Sequence, residues 1–387
     1  MPRPRILTGL LLLVVVCVSP SSAQLGKSIT IPAGSEVDHQ LAAINAATDP
    51  AQKLQLIDQF SQSHPDGDYQ IVADEQYVNY YLNEKQYDKV FEYGDKLFAL
   101  DPDNFANAVN LVRAANEKGD TERLFTYGEK ASEIVRRYKG ATPPSGASAE
   151  MWERERTDKL AAIKENQDYI EQSMLNAAYQ QKDLAKKADY LARFAKDFPD
   201  SVYAGQALSG AAVTYQQAQN APKMLEVANG VLAKDPNNIS MLLLLADYYS
   251  EKGTQLDVAE ADAKKAAALC DTAKKPENLT DEQWKKQNSL QKGLALSALG
   301  QVNIEKKDNA AAVKNLTAAT PFLKADAAIY ARNQYRLGFA YLNLKNNAAA
   351  KQAFIDAASV DSPYKGMAEK KLAELSSAKP GAKKKAT

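Results

Sequence analysis

A period constrains this chain more than any other feature of its sequence. Leu111 falls about 34 residues after Tyr77, and Gly128 falls about 34 after Gly94. Between those positions apolar and small residues recur at helical spacing: Tyr77, Tyr81, Tyr87, Val90 and Leu97 lead into Leu100-Asp101-Pro102-Asp103-Asn104. The next stretch repeats the layout with Leu111, Ala115, Gly119, Leu124, Gly128 and Ala131. A two-helix unit of this length cannot bury its own apolar face, so successive units must stack. The expected fold class is therefore all-α, an α-α superhelix built as a solenoid of helical hairpins, an architecture that usually presents a binding surface.

Ala, Leu, Lys, Gln and Glu dominate from Ser35 to Leu375, and nothing in that span reads as a sheet. Turn residues divide it into hairpins over 35–65, 71–104, 105–138, 169–200, 205–238, 239–272, 293–324 and 331–362, with a capping helix over 365–375. Asp101-Pro102, Phe198-Pro199 and Asp235-Pro236 end second helices, because proline disfavours helical geometry in the residue before it. Two interruptions break the array. The first, 140–148, contains Pro143-Pro144-Ser145-Gly146 and leads into a charged helix over 150–166. The second, 274–280, ends at Thr280, which with Gln283 three residues on reads as a helix start. One elongated repeat domain over 24–376 is expected, with irregular insertions near 139–168 and 273–292.

The N-terminal 1–23 reads as a secretory signal peptide: Arg3 and Arg5, an apolar run from Leu10 to Val18, then Ser21-Ser22-Ala23. Cleavage after Ala23 is expected, giving an exported, periplasmic or secreted protein. The apolar run falls short of the roughly 20 residues that a membrane span needs. Cys17 could mark a lipid anchor, but the bulky Val16 before it argues against one. Without Cys17, Cys270 is the single thiol, so no intramolecular disulfide is expected and Cys270 reads as a small core residue. The 48 basic and 48 acidic residues balance, and no nucleic-acid partner is indicated. The end of the chain, 377–387, carries Lys383-Lys384-Lys385 and reads as a disordered basic tail.

Several copies of the repeat agree in detail. Leu337-Gly338, Tyr341, Ala350, Phe354 and Ala357 stand at matching offsets to Leu299-Gly300, Ala312 and Ala319; Gly253, Ala259 and Ala266 follow in another copy, and Tyr215, Val231 and Pro236 in a fourth. This pattern resembles the tetratricopeptide repeat family. The resemblance implies small residues where helices approach closely, a concave surface lined by first helices, and a protein or peptide partner. The segment Phe198-Pro199-Asp200-Ser201-Val202-Tyr203-Ala204 is similar to junctions in tetratricopeptide proteins of the bacterial cell envelope, which implies a scaffold of that compartment.

Catalytic patterns are missing from the sequence. His39 and His64 are the two histidines, without a zinc-binding His pair, paired cysteines or a phosphate loop, so no enzyme, cofactor or metal is expected. First helices instead supply Glu75, Asn79, Asn110, Arg113 and Asn116 as groove candidates, since an asparagine amide can both donate to and accept from an extended peptide. Asn79 and Asn110 match positions that clamp a C-terminal carboxylate in chaperone-binding members of the family. Glu75 replaces the accompanying lysine, however, and Ile170 and Met174 stand where basic residues are required, which argues against such a clamp. Farther on, Arg332 and Arg336 lie one turn apart and could meet an acidic partner, beside Leu243, Leu244 and Asp247. Plain core packing is the alternative for Leu243 and Leu244. A glycan ligand is the second functional reading, with Trp152 and Trp284 as candidate stacking platforms.

Overall fold

The computed structural model describes residues 25–144, 146–277 and 279–377. The expected signal peptide with Cys17 and the basic tail with Lys383-Lys384-Lys385 lie outside the described residues. Among the described residues there are eighteen α-helices and no strand. In chain order they are α1 (Glu36–Ala46), α2 (Pro50–Ser63), α3 (Gly67–Asn83), α4 (Tyr87–Leu100), α5 (Phe105–Lys118), α6 (Thr121–Lys139), α7 (Ala149–Ala162), α8 (Lys164–Gln180) and α9 (Leu184–Asp197). There follow α10 (Ala204–Gln217), α11 (Ala221–Lys234), α12 (Ile239–Lys252), α13 (Leu256–Thr272), α14 (Asp281–Glu305), α15 (Asn309–Leu323), α16 (Ala327–Asn343), α17 (Asn347–Ala358) and α18 (Lys365–Ser377). None is long and apolar enough to cross a membrane.

Contacts group the chain into two compact units that meet in sequence at Ala177 and Ala178, inside α8 and away from both interruptions. In unit 1 consecutive helices pack in order from α1 through to α7, and the first helices α3 and α5 also touch. In unit 2 consecutive helices from α9 to α18 pack in order, while α10 touches α12, α12 touches α14 and α14 touches α16. Contact between alternate helices places the first helix of each hairpin beside the first helix of the next. Each unit is thus a tetratricopeptide-like stack of helical hairpins, the all-α class that the period predicts.

The region 273–292 departs from expectation. The helix that Thr280 and Gln283 predict does start at Asp281, but it runs on through Gly293 without a break, so that most of the expected insertion is the first half of α14. Thr280 accepts from the Gln283 amide, and the Gln283 side chain accepts from the Thr280 amide, so a complete capping box supports the longer helix.

Close approach explains the small residues. A Cβ on Gly338 would stand 2.6 Å from the Phe354 ring, one on Gly300 2.4 Å from Leu316, and one on Gly128 2.2 Å from the Met174 sulfur. The side chains that fill those gaps are deeply buried; Phe354 and Met174 are 0% exposed. Polar ties recur as well. First-helix asparagines donate to carbonyls of the preceding second helix: Asn107 to Gly94 at 2.8 Å, Asn288 to Cys270 at 2.8 Å and Asn333 to Leu316 at 2.9 Å. Tyrosines reach back in the same direction, Tyr77 to Asp58, Tyr127 to Asp95 and Tyr215 to Asp189. Burial and then the facing carboxylate raise all three phenols above their ordinary range.

The turns inside the hairpins need a left-handed residue. Gly119 and Gly253 supply it at φ 74° and 64°, yet Lys85, Gln219, Lys307 and Lys345 hold the same conformation at φ 56°, 57°, 64° and 58°. A side chain there carries a steric cost that glycine avoids. Cys270 is buried on α13, and burial, with Asp271 adding, pushes its thiol up.

Candidate functional site

Each unit gathers polar first-helix residues into a cluster. In unit 1 the cluster runs across α3, α5 and the start of α8. Asn110 donates to Asn79 at 3.2 Å, Arg113 donates to Asn166 at 3.3 Å, and Asn116 donates to the Tyr169 hydroxyl at 3.4 Å. The Arg113 guanidinium also stands 5.6 Å from the Tyr169 ring centre. These side chains lie at solvent, and each pairing joins one helix to the next first helix in the stack.

The four expected residues of this unit, Asn79, Asn110, Arg113 and Asn116, are therefore brought onto one surface. Asn166 and Tyr169 complete it and were not expected. Ile170 and Met174, read as facing the groove, are core residues at 1% and 0% exposure; Met174 fills the space that Gly128 leaves. Glu75 is engaged at the edge, accepting from Asn104 at 2.9 Å. Its carboxyl is raised, by burial first and by Asp101 in addition, against the lowering effect of the Asn104 bond.

Unit 2 treats its polar residues differently. Arg332 donates to Asp247 at 2.8 Å; Arg336 donates to Asp247 at 3.0 Å, to Glu251 at 2.9 Å and to Ser297 at 3.2 Å. Asp247, Arg332 and Arg336 are thus brought together as expected from their faces, but the guanidiniums find their acidic partners within unit 2. Arg336 is only 5% exposed. Burial would raise the Asp247 carboxyl, yet Arg336 and Arg332 outweigh that effect and hold it below the ordinary value. Leu243 and Leu244 are buried at 8% and 7%, with Leu243 packed among Leu242, Ala266 and Ala295, so they are core and not groove anchors.

A cavity of about 370 Å³ opens beside this cluster, lined by Glu251, Gln301, Ile304, Glu305, Tyr335, Arg336, Phe339 and Tyr364. The sequence reading missed its aromatic wall, which depends on α16 lying beside the Tyr364 turn. Trp152 is not a stacking platform: it is buried against Tyr138 and donates to the Ala141 carbonyl at 3.2 Å. Trp284 is half-buried near the start of α14. His39 is exposed, and His64 lies 3.1 Å from the Gln40 amide oxygen, between Phe60 and Tyr69. Among the described residues no group of three or more His, Cys, Asp and Glu side chains could hold a metal ion.

No family model and no curated protein matches the chain. Among solved structures it is similar to yeast Tom70, at 12% identity over 88% of this chain and 96% of that one, with a TM-score of 0.31. It is likewise similar to the P58(IPK) TPR domain, at 14% identity over 89% of this chain and 100% of that one, with a TM-score of 0.25. At such scores the likenesses carry no argument, and the fold assignment stands on the hairpins themselves.

Proposed function

We propose that this chain is an exported, non-catalytic scaffold of the bacterial cell envelope that holds an extended segment of a partner protein against the unit 1 face. The observation that carries this reading is the row of polar side chains from Asn79 to Tyr169, in which Asn79, Arg113 and Asn116 are exposed and Asn110, Asn166 and Tyr169 half-buried. Its three cross-helix bonds, at 3.2–3.4 Å, are long and solvent-exposed, so a peptide backbone can replace them at little cost. Asparagine amides offer a donor and an acceptor together, and Arg113 adds a forked donor. Export is supported by Arg3, Arg5, the apolar run and Ala23; the envelope by the 198–204 segment. Glycan binding is the weaker alternative, because Trp152 is buried and an aromatic platform must be exposed.

The test is a pull-down from envelope extracts of the native host. The full chain is expected to recover a partner that the Asn110→Ala/Arg113→Ala double variant recovers at least ten-fold less, while both melt within a degree or two of each other. Equal recovery by the two would sink the assignment of this face. Sequencing the N-terminus of the exported protein should find Gln24 first; an intact Met1 would remove the export reading.

A further inference from the structure

The cavity in unit 2 has a composition that the unit 1 face lacks. Three first helices contribute to it: Glu251 from α12, Gln301, Ile304 and Glu305 from α14, and Tyr335, Arg336 and Phe339 from α16. Tyr364, in the turn before α18, completes the wall. The aromatic rings are mutually braced, with Tyr335 5.0 Å from Phe339 and 5.6 Å from Tyr364. Phe339 and Tyr335 pack in turn on the buried Phe354, so the wall is rigid.

The charges are unequal. Asp247 and Glu251 match Arg332 and Arg336 within hydrogen-bond distance. Among the described residues Glu305 has no cation of its own; it accepts from the neutral Gln301 amide at 2.9 Å, and its other oxygen faces Gly253. The nearby Lys371, whose ammonium stands 5.4 Å from the Phe339 ring centre, is bound to Glu374, and Lys306 is bound to Asp257 and Glu260. The cavity therefore combines an aromatic wall with one uncompensated carboxylate at its rim and a second, Glu251, beside it. Its volume of about 370 Å³ is at the small end for ligand sites, and suits a single long side chain with water.

We propose that this cavity receives a basic side chain, arginine in preference to lysine, from a partner polypeptide. The aliphatic stem lies along Ile304 and Phe339, the guanidinium plane stacks on Tyr335 or Tyr364, and the charge is met by Glu305. Arginine is favoured because its planar, weakly hydrated fork can stack and pair with a carboxylate at once, whereas an ammonium keeps its water. An acidic side chain is rejected by Glu305, the one carboxylate of the wall that no arginine matches. The inference concerns unit 2 alone, so loss of the unit 1 reading leaves it standing.

The test titrates the full chain, methyl-labelled at isoleucine, with four blocked pentapeptides that carry arginine, lysine, citrulline or glutamate between alanines, and follows the Ile304 methyl resonance. Saturable movement by the arginine peptide is expected, with affinity a few-fold weaker for lysine and at least ten-fold weaker for citrulline, which keeps the shape and loses the charge. Glu305→Gln should reduce arginine affinity about ten-fold with an unchanged melting temperature. Equal response to arginine and citrulline, preference for glutamate, indifference to Glu305→Gln, or no movement at all would each overturn the proposal. Movement by N-acetylglucosamine alone would assign the cavity to a carbohydrate and overturn it as well.

Discussion

The polar face of unit 1 and the charged cluster of unit 2 stand on equivalent first helices, yet one is offered to solvent and the other is spent on the fold. Asn110, Arg113 and Asn116 make exposed bonds of 3.2–3.4 Å, two of them between neutral groups. Arg332 and Arg336 hold Asp247 and Glu251 through charge-assisted bonds of 2.8–3.0 Å, with Arg336 almost wholly covered. Polar residues on the inner helices of a repeat stack thus serve two ends, and burial decides which. A side chain at solvent can exchange its partner for a ligand; a buried one cannot leave without stranding a charge.

The contrast breaks first at Arg336. Arg336→Met leaves Asp247 with a single guanidinium and is expected to cost about 3 kcal/mol in urea unfolding. Adding Asp247→Asn should cost less than the sum of the two single changes by more than about 1 kcal/mol, because the residues share one network. Additive costs would show that the cluster is not coupled. Acid provides an independent check on the same carboxylate. Its folded pKa is depressed, so the stabilisation is complete above the unfolded value of about 3.9 and is lost as pH falls through the folded value. The melting temperature should therefore drop more steeply below about pH 4 in the native chain than in Asp247→Asn.

Glycine positions give the next largest effects. Gly338→Ala drives a Cβ to 2.6 Å from the rigid Phe354 ring and should cost about 2 kcal/mol. Gly230→Ala on α11, with nothing within 4 Å of its added carbon, should instead stabilise by about 0.5–1 kcal/mol. Replacing Lys345, at φ 58°, by glycine should stabilise by about 0.5 kcal/mol, since the left-handed turn then carries no steric cost. Smallest of all is Arg113→Ala, expected within about 0.5 kcal/mol of the native stability despite its proposed importance for binding.

Local signals made the stack legible from sequence. Asp101-Pro102, Asp235-Pro236 and the Leu-Gly pairs at 299–300 and 337–338 mark helix ends and close contacts through neighbouring atoms alone, and the helices fall where they point. The capping box at Thr280 was visible too, although the length of the helix it opens was not. Harder to read were features set across the stack. Nothing local to Arg336 shows that Asp247, 89 residues away, will cover its charge. The rotation of α8 is one such feature: Ile170 and Met174, at the positions where a clamp requires basic residues, turn into the core, and Asn166 and Tyr169 reach the surface. Packing against Gly128 decides that rotation, and the glycine lies on another helix.

The most direct test of the central claim places a photo-crosslinking residue at Asn116, on the unit 1 face, or at Ala99, exposed on the second helix α4, in the native host. Irradiation should yield a discrete adduct from position 116 that Arg113→Ala abolishes, and none from position 99. Equal adducts from both positions, or an adduct at 116 that survives Arg113→Ala undiminished, would contradict the claim that this exposed polar row is where the partner binds.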